Sequence, residues 1–188
     1  TLIWNAHAVY AYGIGTNCVR ASFYSISSGT GLLETASFVA PATGATLGFD
    51  YAYAAYSANY VDRLAIQVST NAGATYAPLL VMEGGVTGAL NTAGTQSGSF
   101  VPTAAQWRTK NVALPADADR LRFDAITGYG NNLFLDNVQI YDGTAAADVM
   151  LASTALPDPA RSESNLTYSL VVSNAGPAAA AGVVLTNR

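Results

Sequence analysis

Charge is scarce in this 188-residue chain, with eight Lys and Arg against twelve Asp and Glu, together 11% of the residues. Eight scattered basic side chains form no stripe for a phosphate backbone and the net charge of −4 opposes one, so nucleic acid is excluded as a partner. Histidine occurs once, as His7, and cysteine once, as Cys18. A zinc site takes three or four nitrogen or sulfur ligands, more than this pair can supply. With a single histidine, no Gly-x-Ser-x-Gly elbow and no carboxylate pair in a recognisable setting, nothing in the sequence points to an enzyme. A lone cysteine closes no internal disulfide. Its apolar setting in Asn17-Cys-Val-Arg-Ala-Ser-Phe-Tyr-Ser-Ile26 predicts a small buried hydrophobe. No apolar run of some twenty residues is present, and the tract Ala178–Ala181 is far too short, so no membrane span is expected. Neither a Met nor a charged leader precedes Thr1, which reads as a processed mature form or an excerpt.

Helical periodicity is missing too. What remains is 51% hydrophobic residues, with Gly, Asn, Ser and Thr clusters between short β-branched and aromatic runs. These patterns predict an all-β chain with strands at 17–26, 33–39, 45–54, 63–70, 76–82, 98–101, 107–114, 120–126 and 133–141. Nine strands suffice for a two-sheet jelly-roll sandwich. Thr70-Asn-Ala-Gly-Ala-Thr-Tyr76 places Asn and Gly where a hairpin needs left-handed backbone, and Pro115 supplies a stop. Alternation puts Leu64, Ile66 and Val68 on one face, and likewise Leu121, Phe123 and Ala125, each strand keeping one wet face.

Three segments organise the chain: an N-terminal strand segment at 1–16, a jelly-roll domain at 17–143, and an incomplete immunoglobulin-like domain at 144–188. In the first, Leu2, Trp4, Ala6, Ala8 and Tyr10 share one side of an uncharged extended stretch. That stretch is either the domain's own first strand or a strand given to a neighbour by β-augmentation. The last segment offers three strand candidates, the third being Gly182–Arg188. An immunoglobulin-like sandwich needs about seven strands and roughly 100 residues. Either more chain follows, or strands from a second molecule cover Val171, Val183 and Leu185.

The motifs Asn17-Cys-Val-Arg, Phe23-Tyr-Ser-Ile, Leu47-Gly-Phe-Asp-Tyr-Ala-Tyr-Ala54, the run Tyr60–Gly73, Gln106-Trp-Arg-Thr and the run Gly128–Val138 resemble secreted Bacteroidota-type jelly-roll modules. Those modules are similar to the lectin-like adhesin domains that accompany secreted proteases and to MAM-like receptor jelly rolls. From Asp148 onward, Asp-Val-Met-Leu, Pro157-Asp-Pro, Leu166-Thr-Tyr, Val172-Ser-Asn and Ala175-Gly-Pro resemble the first part of an immunoglobulin-like bacterial surface repeat of unknown function. Both resemblances imply adhesion, display or scaffold roles outside the cell, at the level of fold.

Two groups of residues stand out as sites. Asp136 and Asn137, with Asp50 and Asp142 as helpers, are oxygen donors of the kind that hold a structural calcium ion. Their plain structural role would be to satisfy buried backbone groups where strands cross. Tyr51, Tyr53, Tyr56 and Tyr60 fall within ten residues, and such a cluster serves as core packing, as a protein contact or as a stacking surface for sugar rings. Asp62-Arg63 beyond them reads as a solvated or locally paired strand start. Asn165-Leu-Thr167 matches a glycosylation sequon, a pattern common by chance.

Taken together, the unfinished sandwich, the apolar terminal strand and the low charge predict a structural subunit of an extracellular bacterial filament, polymerised with copies of itself by strand complementation. The alternative is a glycan-binding adhesin module of a larger surface protein.

Overall fold

The structure, a computed structural model, describes residues 3–13, 15–40, 44–142, 147–157, 159, 162, 165–174, 176 and 178–186. The chain divides into two units, Thr1–Gly143 and Thr144–Arg188. The first contains β1 (Trp4–His7), β2 (Cys18–Ala21), β3 (Gly29–Glu34), β4 (Ala45–Tyr53), β5 (Arg63–Ser69), β6 (Ala77–Glu83), β7 (Arg108–Leu114), β8 (Arg120–Thr127) and β9 (Leu133–Asp142). One sheet has the order β1-β2-β9-β4-β7 and the other β3-β8-β5-β6, with every pairing antiparallel. This is the two-sheet all-β sandwich that the alternating runs predict.

Alternation decides the core. Leu64, Ile66 and Val68 on β5 and Leu121, Phe123 and Ala125 on β8 are buried against Leu47, Phe49, Tyr51 and Tyr53 of β4 and Leu133 and Leu135 of β9. Part of the opposite face of the five-stranded sheet is also buried. There Cys18, Ala52 and Phe134 lie beneath Ala11, Phe100 and Trp107, carried by the segments that follow β1 and precede β7.

Four strand expectations need correction. The strand placed at 17–26 runs only over Cys18–Ala21, and Phe23–Ser25 form a single 3-10 turn. The strand placed at 33–39 begins earlier, at Gly29, and ends at Glu34. Gly31 within it lets the other sheet approach: a Cβ there would meet Ile3 and Trp4. Residues 98–101 form no strand, because the Phe100 N–H donates to the Asn131 side chain (2.8 Å) rather than to a ladder. Residues 183–186 form none either, so the third strand of the C-terminal segment is absent among the described residues.

Trp4–His7 pairs with β2 in the chain's own sheet, Ile3 and Trp4 are buried, and the Trp4 indole N–H donates to the Gly31 carbonyl at 3.0 Å. The predicted shared face fails beyond Trp4, since Ala6, Ala8 and Tyr10 are exposed. Leu2 lies outside the described residues.

The second unit is a hairpin of β10 (Val149–Leu156) and β11 (Thr167–Asn174). Neighbouring positions such as Met150 and Leu151, or Val171 and Val172, point to opposite faces, and all four are exposed.

Candidate functional site

At one end of the sandwich, four connections meet: the turn Phe23–Ser25, the β4–β5 loop, the start of the β6–β7 connection and the β8–β9 loop. The β4–β5 loop is anchored where Ala55 makes a parallel bridge with Thr95 and the Thr92 and Ala93 N–H groups donate to the Tyr53 carbonyl. It then exposes Tyr56 and Tyr60 partially before running into Asp62.

The sequence-level tyrosine group divides here. Tyr51 and Tyr53 face inward: Tyr51 is buried with its hydroxyl on the Ala89 carbonyl (3.3 Å), and Tyr53 is fully buried. Tyr56 and Tyr60 join two tyrosines that local clustering in the sequence does not reveal. The ring centroids run Tyr24–Tyr56 6.1 Å, Tyr56–Tyr60 5.6 Å and Tyr60–Tyr129 5.5 Å, with interplanar angles of 58°, 64° and 86°. Tyr24 and Tyr129 are 39% and 49% exposed, so the row is wet along its length. Both belong to motifs visible in the sequence, Phe23-Tyr-Ser-Ile and Gly128-Tyr-Gly-Asn-Asn, but far from Tyr56 along the chain.

Asp62 organises this end. Expected to be a solvated or locally paired strand start, it is instead fully buried, because the β8–β9 loop folds over it. Its Oδ1 accepts from the Gly128 and Gly130 N–H groups (2.8 and 3.0 Å), and its Oδ2 from the Asn131 N–H (2.8 Å) and the Tyr53 hydroxyl (2.9 Å). Burial pushes the Asp62 carboxyl up from its ordinary range, while the Gly128, Tyr53, Gly130 and Asn131 donors pull it back. Burial and then the Asp62 charge push the Tyr53 phenol up, so it stays a donor. Arg63, beside it, is the locally paired residue expected, bound to Glu83 at 2.9 Å.

Glycines permit the grip. A Cβ at Gly130 would overlap the Asp62 carboxylate, and one at Gly128 the Val61 carbonyl. Asn131, also fully buried, donates to the Gln96 and Gly98 carbonyls (2.7 and 2.9 Å) and accepts from Phe100 N–H. Asn132 accepts from Tyr24 N–H at 3.3 Å, fixing the other end of the row.

The oxygen set singled out for calcium is only partly assembled. Asp50 stands opposite Asp136 in the β4–β9 pair, beside a bulge in which Asn137 (φ 48°) and Val138 face Phe49 alone. Asp142 stands opposite Ala45 at the far end of β9 and does not join them. The remaining carboxylate oxygens are engaged by protein donors. Asp136 accepts from the Ala11 and Asn137 N–H groups (both 2.8 Å), and Asp50 from the Thr109 hydroxyl (2.5 Å) and the Asn137 amide (2.8 Å). Burial, opposed by those two donors, pushes the Asp50 carboxyl up. Among the described residues no group of three or more His, Cys, Asp or Glu is placed to hold a metal ion.

His7 and Cys18 lie together at the β1–β2 edge. The His7 ring meets Phe134 edge-on at 5.4 Å, and burial, followed by Arg20, pushes its pKa down. Cys18 is buried with its Sγ on the His7 carbonyl (3.7 Å), and burial pushes the thiol up to about 11. Tyr10 is exposed and outside the row, and in the second unit Val171, Val183 and Leu185 are exposed.

Solved structures repeat this arrangement of sheets. The K1 cleaved adhesin domain of Lys-gingipain from Porphyromonas gingivalis W83 superposes with a TM-score of 0.52 at 18% identity, over 75% of this chain and 84% of that one. The K2 cleaved adhesin domain of Lys-gingipain gives 0.52 at 15% identity, over 74% and 82%. The fold is shared with bacterial adhesin domains. A family 16 carbohydrate-binding module overlaps more loosely, at 0.43 and 15% identity over 74% of this chain and 86% of that one. No family model and no curated protein matches the sequence. Among the described residues no helix is long and apolar enough to cross a membrane.

Proposed function

We propose that the jelly roll is an adhesin-type binding module, displayed outside the cell, and that Tyr24, Tyr56, Tyr60 and Tyr129 are its glycan contact. The observation that carries this reading is the unbroken row of partly exposed rings at one end of the sandwich. A sugar ring presents C–H groups on its faces and hydroxyls at its rim, which suits tyrosine, with an apolar ring and a polar tip. Neighbouring rings cross at 58° to 86° and so make no flat tray. Such a surface favours one glycan chain over the face of a crystalline polysaccharide. The likeness to adhesin domains supports the architecture and leaves the ligand to the site.

A glycan array probed with the wild-type chain and with Tyr56→Ala and Tyr129→Ala tests the reading. The expected result is discrete binding, weakened at least about tenfold by either substitution, with the melting temperature unchanged. A flat array for the wild-type chain overturns it.

Self-association is kept as a second reading by one observation, the hairpin β10–β11 with Met150, Leu151, Val171 and Val172 exposed on both faces. The strand expected to complete a neighbour, Trp4–His7, is paired with β2 of its own sheet and lends this reading no support. Sedimentation velocity would show concentration-dependent association that Val171→Lys abolishes; a monomer at all concentrations removes this reading.

A further inference from the structure

We infer that Asp62 is the positioning residue of the tyrosine row: its buried carboxylate determines where Tyr129 stands. The inference rests on the reading of the row as the contact surface, but the positioning itself can be measured without any ligand.

Tyr129 is held at φ 63°, in the left-handed region that a bulky residue rarely enters unless its surroundings impose it. Its own N–H donates to the Thr127 hydroxyl at 3.1 Å, and the N–H groups of the residues before and after it are held by Asp62. Gly128 N–H and Gly130 N–H, one on each side of Tyr129, converge on the same Asp62 oxygen. The other oxygen takes the next N–H, from Asn131, and the Tyr53 hydroxyl. Four donors pointing at one side chain require a carboxylate, which has about four lone-pair sites and no hydrogen. An amide at this position would turn an NH2 group toward two of them.

The geometry joins the two halves of the row. Asp62 follows Tyr60 by two residues, and the loop it grips carries Tyr129, whose ring meets that of Tyr60 edge-on at 5.5 Å. Among the described residues no salt bridge reaches Asp62, so the buried charge is balanced by hydrogen bonds alone. Three of the four donors come from the loop and one, the Tyr53 hydroxyl, from the core.

The test is Asp62→Asn, with hydrogen exchange read at the Gly128, Gly130 and Asn131 amides and at the Ile66 and Phe123 amides of the core strands. The expected result is a loss of protection at the three loop amides at least about tenfold greater than at the strand amides, a ratio that a purely structural role would leave near one. In parallel, affinity for a glycan bound by the wild-type chain should fall as far as in Tyr129→Ala, and Asp62→Asn combined with Tyr129→Ala should be no weaker than either alone. Uniform loss of protection, or unchanged affinity in Asp62→Asn, overturns the inference. Should Asp62→Asn fail to fold, Tyr53→Phe removes one donor at nearly constant volume. Increased exchange confined to residues 128–131 supports positioning, and none overturns it. A wild-type chain that binds no glycan sinks the reading of the row, while the exchange ratio still decides the role of Asp62.

Discussion

The Tyr53 hydroxyl donates to the Asp62 carboxylate at 2.9 Å, inside the core. Tyr53 closes strand β4 and Asp62 stands just ahead of β5, so this one bond ties the sandwich interior to the loop end where the exposed tyrosines gather. Strand β4 thus contributes Tyr51 and Tyr53 to packing, while the loop leaving it carries Tyr56 and Tyr60 to the surface.

Trp4→Ala should destabilise the first unit by about 3–5 kcal/mol, since it empties a fully packed site and removes the bond to Gly31. Urea unfolding followed by far-UV circular dichroism measures it. A cost below about 1 kcal/mol would mean that this strand is not part of the domain's own core.

Gly130→Ala should cost about 1–3 kcal/mol through overpacking, because the added methyl meets the Asp62 carboxylate. Gly98→Ala is the control, with nothing within 4 Å of its Cβ position. Equal melting temperatures for the two variants would contradict the close approach described.

The Cys18 thiol, raised from 9.0 to about 11 by burial, should resist iodoacetamide at neutral pH until the chain unfolds. The linkage has a definite sign: between about pH 9 and 11 the unfolded chain ionises this thiol and the folded one does not, so stability falls as pH rises through that window. Tyr51 and Tyr53 are also pushed up by burial and add to the alkaline loss. Denaturant titrations at pH 8 and pH 10.5 on the wild type and Cys18→Ala would show a smaller fall in the variant.

Calcium at millimolar concentration should leave the melting temperature unchanged, because the oxygens of Asp50 and Asp136 already accept protein hydrogen bonds. Differential scanning fluorimetry with calcium and with EDTA decides this. A rise of several degrees would show that Asn137 and Thr109 give way to a cation.

Much of the architecture was legible in local pattern. Leu64, Ile66 and Val68 alternate with Ala65 and Gln67, and that period alone says strand and says which face is dry. Where the pattern misled, a long-range contact intervened. Residues 98–101 look like a strand, yet the Phe100 N–H finds Asn131 before any ladder partner. Asp62 looks solvated because acidic residues usually are, and nothing near it in sequence announces that Gly128, Gly130 and Asn131, more than sixty positions on, will bury it.

By itself, then, the sequence determined the all-β class, most of the strands, the buried state of Cys18 and the low charge. These follow from periodicity and composition, which are local properties. Only the tertiary structure decided which tyrosines face water and which carboxylate holds them. Tyr24, Tyr60 and Tyr129 belong to three separate connections, brought together when two sheets close on one another, and Asp62 acquires its role only when four donors from β4 and the β8–β9 loop converge on it. Side-chain periodicity fixes the face of a strand, but the neighbours of a loop are set by how the strands on either side are ordered in the sheets.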